Sequence, residues 1–163
     1  MFTVPIIRKP MMSDRDIAKI DSLLETYKPE LCLEWGSGNS TIYFPKMHDC
    51  IKRWVSIEKS KKWFGHVWRY MKKSVVDLKL RTSVNYLDID GKYDFILIDG
   101  ERRNECLELA QKLLTVTGFV LLHDSERDDY NEGIALYGDK KKVLCRGDTL
   151  EEGKKNGLMK LWI

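Results

Sequence analysis

The sequence lacks several features that would place it in a special class of protein. No stretch approaches the ~20 consecutive apolar residues of a membrane-spanning helix, and the short apolar part of the N-terminus precedes Arg8 and Lys9, a poor match to a secretory signal. The four cysteines include no Cys-x-x-Cys pair, which argues against a zinc site or a disulfide framework and favours a reduced, cytoplasmic chain. Four prolines and eleven glycines exclude collagen-like and low-complexity classes.

Neither sign of charge dominates. The 28 Lys and Arg residues are interleaved with 25 Asp and Glu residues, and the net charge is +3. This balance does not favour a nucleic-acid partner, and we interpret the Lys-rich positions as a solvated surface. A chain of 163 residues that is 43% hydrophobic predicts one domain, residues 1–163. Such a domain buries roughly 70% of the surface that its unfolded chain exposes.

Helix-like and strand-like spacings of apolar residues alternate along the chain. The spacing predicts helices over 13–27 (within an N-terminal segment, 12–28), 39–47, 61–74, 101–117 and 127–137. Short apolar runs predict strands over 31–36, 53–59, 80–87, 93–100, 118–125, 141–147 and 157–163. Ser13 or Asp14 is expected to cap the first helix and Asn39 or Ser40 the second, and Gly118 is expected to end the fourth.

The order of these elements predicts an α/β fold. Strands that alternate with helices form right-handed crossovers, so we expect a Rossmann-like, doubly wound and mostly parallel sheet with helices on both faces. The runs LCLEW, FILID and FVLLH are almost continuously apolar, as strands buried on both faces should be. No helix separates the last two strands, which are therefore expected to form a C-terminal antiparallel hairpin at one edge of a seven-stranded sheet.

Glycines and carboxylates stand where two predicted strands end. In an open α/β sheet, ligands bind beyond the carboxyl ends of the strands, at the point where the strand order reverses. Gly36 and Gly38 follow the first strand, so the backbone can turn sharply and approach a ligand closely. Glu58 ends the second strand, 22 residues after Gly36. At that spacing a carboxylate can accept hydrogen bonds from both ribose hydroxyls, and it would repel a 2′-phosphate.

Two departures from the dinucleotide-binding pattern change the expected ligand. Thr41 stands where that pattern has its third glycine, and Glu34 would repel a pyrophosphate. The Glu34 carboxylate suits the ammonium group of an amino-acid-bearing nucleoside, which points to S-adenosylmethionine. An NAD-type oxidoreductase or another nucleotide-binding enzyme stays open as an alternative.

Three segments, taken together, resemble the motifs of class I S-adenosylmethionine-dependent methyltransferases. LEWGSGNST (33–41) is similar to their glycine-rich motif I. VSIEKS (55–60) is similar to the second motif, whose acidic residue holds the ribose, and YDFILIDG (93–100) to the fourth strand, which ends at the catalytic face. The resemblance extends over residues ~13–163 and includes the closing hairpin.

The resemblance implies a methyltransferase that binds S-adenosyl-L-methionine. Its implied cofactor-binding residues are Glu34, Gly36, Ser37, Gly38, Asn39, Ser40, Glu58 and Asp99. Asp99, His123 and Asp124 are the implied catalytic residues, bordering the methyl acceptor as base or metal ligands. The region from Leu87 to Asp90 is expected to lie near the adenine.

A narrower resemblance concerns the metal-dependent catechol and caffeoyl-CoA O-methyltransferases. They carry Asp at the end of strand four and Asp-Asn at the end of strand five, where this chain has Asp99 and then His123-Asp124-Ser125. Asp99, Asp124 and Ser125 could bind Mg²⁺, which would lower the pKa of a substrate hydroxyl. Because Ser125 replaces the expected Asn, no bound metal is the favoured expectation and Mg²⁺ the alternative.

Other interpretations of these residues stay open. Asp99 could simply cap the next helix, His123 could be structural, and Arg102 and Arg103 could pair with an anionic substrate or with nearby carboxylates. A catalytically silent binding or assembly module is the other alternative function. The chain is almost the bare fold, so we expect a small-molecule acceptor rather than nucleic acid, and no membrane partner. A second subunit or a partner protein could supply further recognition surface.

Overall fold

Seven strands form one sheet in the computed structural model, which describes residues 8–146 and 157–163. The strands are β1 (Leu31–Trp35), β2 (Arg53–Glu58), β3 (Val76–Leu80), β4 (Tyr93–Ile98), β5 (Leu114–His123), β6 (Lys141–Cys145) and β7 (Leu158–Leu161). The helices are α1 (Asp14–Tyr27), α2 (Asn39–Met47), α3 (Lys61–Tyr70), α4 (Arg103–Leu113) and α5 (Asn131–Ala135), and a 3₁₀ turn, Asp128–Tyr130, precedes α5.

The sheet order is β3-β2-β1-β4-β5-β7-β6. The first five strands pair in parallel, whereas β7 pairs antiparallel with both β5 and β6. This confirms the predicted α/β fold with its mostly parallel, seven-stranded sheet and C-terminal hairpin. The strand order reverses between β1 and β4, so the chain leaves the sheet in opposite directions on the two sides of that point.

Side chains on both faces of the sheet are buried. Leu33, Val55 and Ile96 pack with α4 on one face, while neighbouring residues of the same strands, such as Cys32 and Trp54, pack with α1, α2 and α3 on the other. Two-sided burial explains why these strands are continuously apolar. In the part of the chain that the structure describes, no helix has the length and apolar character needed to cross a membrane.

The predicted third strand is wrong in its position. The structure places β3 at Val76–Leu80, where Val76 and Leu78 alternate with half-buried residues, and not at 80–87. The segment after it forms turns in which Val84 is 95% exposed and Tyr86 is buried. An apolar residue every second position is a necessary condition for a half-buried strand, but turn residues satisfy it by chance.

Several predicted helix boundaries also change, and the fifth helix, predicted over 127–137, is limited to Asn131–Ala135 after the 3₁₀ turn. The fourth helix ends at Leu113, and Gly118 lies inside β5 instead of ending that helix, because the Thr115-Val116-Thr117 run belongs to the strand. The third helix ends at Tyr70 instead of 74. Ser13 caps α1 as predicted. The N-cap of α2 is Gly38, and not Asn39 or Ser40 as predicted. Residues 147–156, in the predicted closing loop, lie outside the described residues.

Candidate functional site

A crevice of about 350 Å³ opens at the strand ends where the sheet order reverses. Residues 36–40 after β1, residues 58–59 after β2 and residues 99–101 after β4 form most of its wall. Met12, Trp63 and Tyr86 add apolar surface. The crevice therefore lies where an α/β sheet of this topology binds its ligands.

The glycine turn after β1 brings backbone atoms to the crevice wall. Gly36 has φ +94°, in the left-handed region, and its N–H donates a 2.9 Å hydrogen bond to the carbonyl of Ile57. Gly38 is extended and donates its N–H to Thr41 Oγ1 at 3.0 Å, which fixes the start of α2. The predicted site residues Ser37, Asn39 and Ser40 all line the crevice.

Glu58 stands in the crevice wall with both carboxylate oxygens engaged. Oε1 accepts the backbone N–H groups of Lys59 at 2.8 Å and Ser60 at 2.6 Å, and Oε2 accepts the Ser37 hydroxyl at 2.9 Å. The side chain is only 7% exposed, yet it lines the cavity. Each carboxylate oxygen can accept two hydrogen bonds, so Glu58 is oriented by the protein and retains acceptor capacity for a ligand.

Glu34 lies below the turn and not in the crevice wall. Its carboxylate is fully buried and accepts the hydroxyls of Ser40 and Thr41, the Ser56 hydroxyl at 2.7 Å and the Trp54 indole N–H at 2.9 Å. Burial raises the pKa of Glu34 to about 7, and these hydrogen bonds limit the rise. Its four protein partners make Glu34 a support that ties α2 and β2 to the end of β1.

Asp99, His123 and Asp124 come together beyond β4 and β5. His123 Nδ1 is 3.0 Å from Asp99 Oδ1 and 3.5 Å from Asp124 Oδ1, and Nε2 is 3.6 Å from Asp16 Oδ2. Burial alone would lower the pKa of His123, but the nearby Asp16 carboxylate, the hydrogen bond to Asp99 and the charges of Asp99 and Asp124 raise it to about 10. A pKa in this range favours the protonated imidazole at neutral pH, which would donate a hydrogen bond to Asp99.

Arg103 is the second cation of this cluster. The first residue of α4, it is 8% exposed, and its Nη2 is 3.3 Å from Asp99 Oδ1 and its Nη1 3.5 Å from Asp124 Oδ2. This confirms the pairing of Arg103 with nearby carboxylates, whereas Arg102 pairs with Glu105. Asp124 has φ +54°, so a non-glycine residue holds a strained conformation at the cluster.

The contacts of Ser125 differ from those of Asp99, His123 and Asp124. Its N–H donates to the carbonyl of Gly157 at 3.1 Å, and its buried hydroxyl has no hydrogen-bond partner among the described residues. The ligand atoms of Asp99, His123 and Asp124 do lie within 4.8 Å of one another, a spacing that could suit a metal. The predicted metal set that includes Ser125 stays a prediction.

Trp63 and Asp16 are among the site residues that the sequence motifs do not identify. The helical spacing of Trp63 is typical of a core position, but the residue is 38% exposed and lines the crevice. Asp16 lies on α1, more than 80 residues before the other acids of the cluster, and no local motif marks it. The segment from Leu87 to Asp90 does not reach the crevice: Ile89 and Asp90 line a separate cavity with Leu31 and Arg53, at the opposite ends of the strands.

Comparisons with known proteins bear on the fold. No protein-family model matches the chain, and no curated protein sequence matches it. Solved structures do. A candidate O-methyltransferase from Klebsiella pneumoniae superposes with a TM-score of 0.72 at 16% identity, over 94% of this chain and 83% of that chain. The chain has the class I methyltransferase fold.

Two further structures share this methyltransferase fold. The precorrin-6y C5,15-methyltransferase of Geobacter metallireducens superposes with a TM-score of 0.66 at 13% identity, over 95% of this chain and 92% of that chain. An O-methyltransferase of Bacillus cereus in complex with S-adenosylhomocysteine has a TM-score of 0.65 at 16% identity, over 94% and 83% of the two chains. At these identities the likeness concerns architecture, and activity has to be argued from the site.

Proposed function

We propose that this chain binds S-adenosylmethionine in the crevice and transfers its methyl group to an acceptor. The observation that carries the proposal is the meeting of Glu58 with the glycine turn at the point where the strand order reverses. A carboxylate held by two backbone N–H groups beside a side-chain-free turn suits the diol of a ribose. The cofactor bound to the Bacillus cereus neighbour supports the same assignment.

The rest of the crevice wall has an apolar end and an acidic end. The exposed indole of Trp63 offers a flat surface for the adenine. At the other end, the described contacts of the Asp99 carboxylate use Oδ1, so Oδ2 is open to a cationic ligand. We assign the aminoacyl ammonium to Asp99, in place of the buried Glu34, and the aminoacyl carboxylate to the backbone of residues 36–40.

The chemistry asks mainly for positioning. When bound, S-adenosylmethionine supplies a methyl carbon activated by a sulfonium, and transfer is an in-line displacement. The glycine turn, Glu58 and Trp63 hold the nucleoside, and Asp99 orients the reacting end. His123 acts through Asp99: its protonated ring holds that carboxylate in one orientation. We take the methyl acceptor to be a small molecule.

The proposal also covers the cellular setting. All four cysteines are free thiols, and three of them are buried. Free thiols support a reducing compartment, which for this chain we take to be the cytoplasm.

Calorimetric titration tests the proposal directly. We expect S-adenosylhomocysteine to bind with a submillimolar Kd and NAD to give no heat of binding, because Thr41 stands where a dinucleotide-binding turn has its third glycine. NAD binding in preference to S-adenosylhomocysteine would favour the oxidoreductase alternative. Binding of neither would overturn the proposal and leave a module that only keeps the fold.

A further inference from the structure

Five ionisable side chains form one cluster beside the crevice. Asp16, Asp99 and Asp124 supply three carboxylates, and Arg103 and His123 supply two cations. Asp16, Arg103 and His123 are less than 9% exposed, so solvent screens these charges weakly. An unpaired buried charge is strongly destabilising, and Arg103 and His123 each lie within 3.6 Å of at least two of the carboxylates.

The guanidinium of Arg103 is held in place by backbone oxygens as well as by carboxylates. Nε donates to the carbonyl of Gly100 at 2.8 Å, Nη1 to that of His123 at 2.6 Å and Nη2 to that of Asp99 at 3.2 Å. The ring of Tyr130 lies 4.9 Å from its Cζ. Three carbonyls at the ends of β4 and β5 would lose their donor if this side chain moved away, so its position is fixed by the fold.

That position is between the two carboxylates that a metal would need. Nη2 and Nη1 approach Asp99 and Asp124, and His123 Nδ1 faces the same two carboxylates from its own side. A divalent ion would have to take these oxygens as ligands while lying next to a guanidinium that backbone carbonyls hold in place. Hard cations such as Mg²⁺ also require oxygen ligands in near-octahedral array, and His123 presents a ring nitrogen here instead of an oxygen. The residues present therefore do not fit a metal ion.

We propose that Arg103 is a built-in cation that takes the place of a catalytic metal in this chain. It pairs with one carboxylate oxygen each of Asp99 and Asp124 and thereby makes the site independent of divalent ions. The chain thus departs from the metal-dependent O-methyltransferases that it resembles at Asp99 and Asp124. The exclusion of metal depends on Arg103 alone, whereas metal-independent methyl transfer also rests on the proposed function.

Manganese titration, followed by electron paramagnetic resonance, tests the exclusion without any methyl acceptor. We expect wild-type protein to bind no Mn²⁺ more tightly than about 1 mM, and Arg103→Met to bind one Mn²⁺ at least tenfold more tightly. The gained site should disappear in the double variant Arg103→Met/Asp124→Asn. Arg102→Gln is the matched control, since the neighbouring arginine pairs with Glu105 and its loss should create no site.

Two results would overturn the proposal. One is tight, stoichiometric Mn²⁺ binding by wild-type protein that Asp124→Asn abolishes. The other is a folded Arg103→Met variant without a Mn²⁺ site, since the arginine would then not be what keeps the ion out. Should Arg103→Met fail to fold, Arg103→Gln retains donors for the carbonyls and serves in its place, and the wild-type titration alone can still refute the proposal.

Cofactor binding is read separately on the same samples. Titration of wild-type protein with S-adenosylhomocysteine, with and without chelator, should give the same Kd. If S-adenosylhomocysteine does not bind, that result counts against the proposed function. The manganese result bears only on Arg103. The two proposals can thus fail independently.

Discussion

Gly36 lies against Gly100, in backbone-to-backbone contact: a Cβ atom on Gly36 would stand 2.5 Å from both the Cα and the N atom of Gly100. In return, a Cβ atom on Gly100 would stand 2.1 Å from the Tyr86 hydroxyl and 2.8 Å from Gly36 N. The chain exits of β1 and β4 are therefore pressed together, and this contact forms the floor of the crevice. Two glycines 64 residues apart in the sequence serve one close approach.

Substitution of Gly36 should damage both the fold and the site. Gly36→Ala places a methyl group into the backbone of Gly100 at φ +94°, so we expect a loss of about 2–4 kcal/mol in the free energy of unfolding. Urea denaturation measures it. S-adenosylhomocysteine binding should be lost at the same time, because the turn that forms the wall is displaced.

Gly38→Ala is the matched control. Gly38 is extended, and the nearest atom to a Cβ there is Ser40 Oγ at 3.9 Å, so the stability should change by less than about 0.5 kcal/mol. If Gly36→Ala were as stable as Gly38→Ala, the close approach would not constrain the turn. A reduced affinity in Gly38→Ala at unchanged stability would locate the cofactor next to this glycine.

The glycine turn shows how far the sequence predicts the site. Gly36 and Gly38 belong to the same glycine-rich turn in the sequence, and a ligand explains both equally well. Only the structure shows that the backbone after β4 packs against Gly36 and leaves no room for a side chain there. Local patterns predict turns, strands and helices, but they contain no information on which backbones meet.

Variants of Glu34 distinguish a supporting role of this carboxylate from direct binding of the ligand. Glu34→Gln keeps an acceptor oxygen and an amide that can donate to a hydroxyl, so the four-partner network can persist without the charge. We expect the Kd for S-adenosylhomocysteine to change less than about threefold. A tenfold or larger loss in this variant would restore Glu34 as a direct partner of the ammonium group. Glu34→Ala, which leaves four buried donors unpaired, should instead unfold at markedly lower urea.

The pH dependence of stability follows from the same carboxylate. The pKa of Glu34 is raised to about 7 in the folded chain from an ordinary value of 4.5, so the folded state binds more protons between these values. The free energy of unfolding should accordingly fall as the pH rises from 4.5 to 7. Glu34→Gln should lack this contribution. Urea titrations of wild type and Glu34→Gln at several pH values measure this contribution. If the free energy of unfolding of the two proteins had the same pH dependence, the raised pKa would be contradicted.

Glu58 should matter for affinity more than for folding. In Glu58→Gln, the amide oxygen can still accept from Lys59 and Ser60, while the amide nitrogen replaces one acceptor oxygen. We expect at least a tenfold weaker Kd for S-adenosylhomocysteine, since a ribose hydroxyl loses its charged acceptor. Glu108→Gln, on the exposed face of α4, serves as control. Equal affinity of Glu58→Gln and wild type would remove Glu58 from the ribose site.

Trp63 and Trp68 form a natural test pair on α3. Their exposed fractions are 38% and 48%, but only Trp63 lines the crevice. Trp63→Ala should weaken S-adenosylhomocysteine binding about tenfold, through loss of ring contact with the adenine, and Trp68→Ala should have no effect. Quenching of indole fluorescence on binding should persist in Trp68→Phe and vanish in Trp63→Phe. The reverse pattern would move the adenine away from α3.

Trp63 and Asp16 also show why the rest of the site could not be predicted. The helical pattern of α3 makes Trp63 look like a core residue, and its place on the crevice wall depends on how α3 packs on the sheet edge. Asp16 follows a capping serine and looks like an ordinary residue of a first helical turn. Its buried contact with His123 exists only because α1 crosses the end of β5. Packing between elements, and not their local character, decides both cases.

His123 should stabilise the folded chain only while it carries its proton. Burial opposes the protonated form, but the nearby Asp16 carboxylate and the hydrogen bond to Asp99 outweigh it and raise the pKa to about 10 against an ordinary 6.5. The folded state therefore binds more protons across this interval, and the stabilisation is complete below pH 6.5 and lost as the pH rises through 10. His123→Gln removes the cation, so its deficit in unfolding free energy should be largest near pH 6 and shrink toward pH 10. A deficit that stays constant over this range, measured by urea denaturation at each pH, would show that the imidazole is neutral and bound for its shape alone.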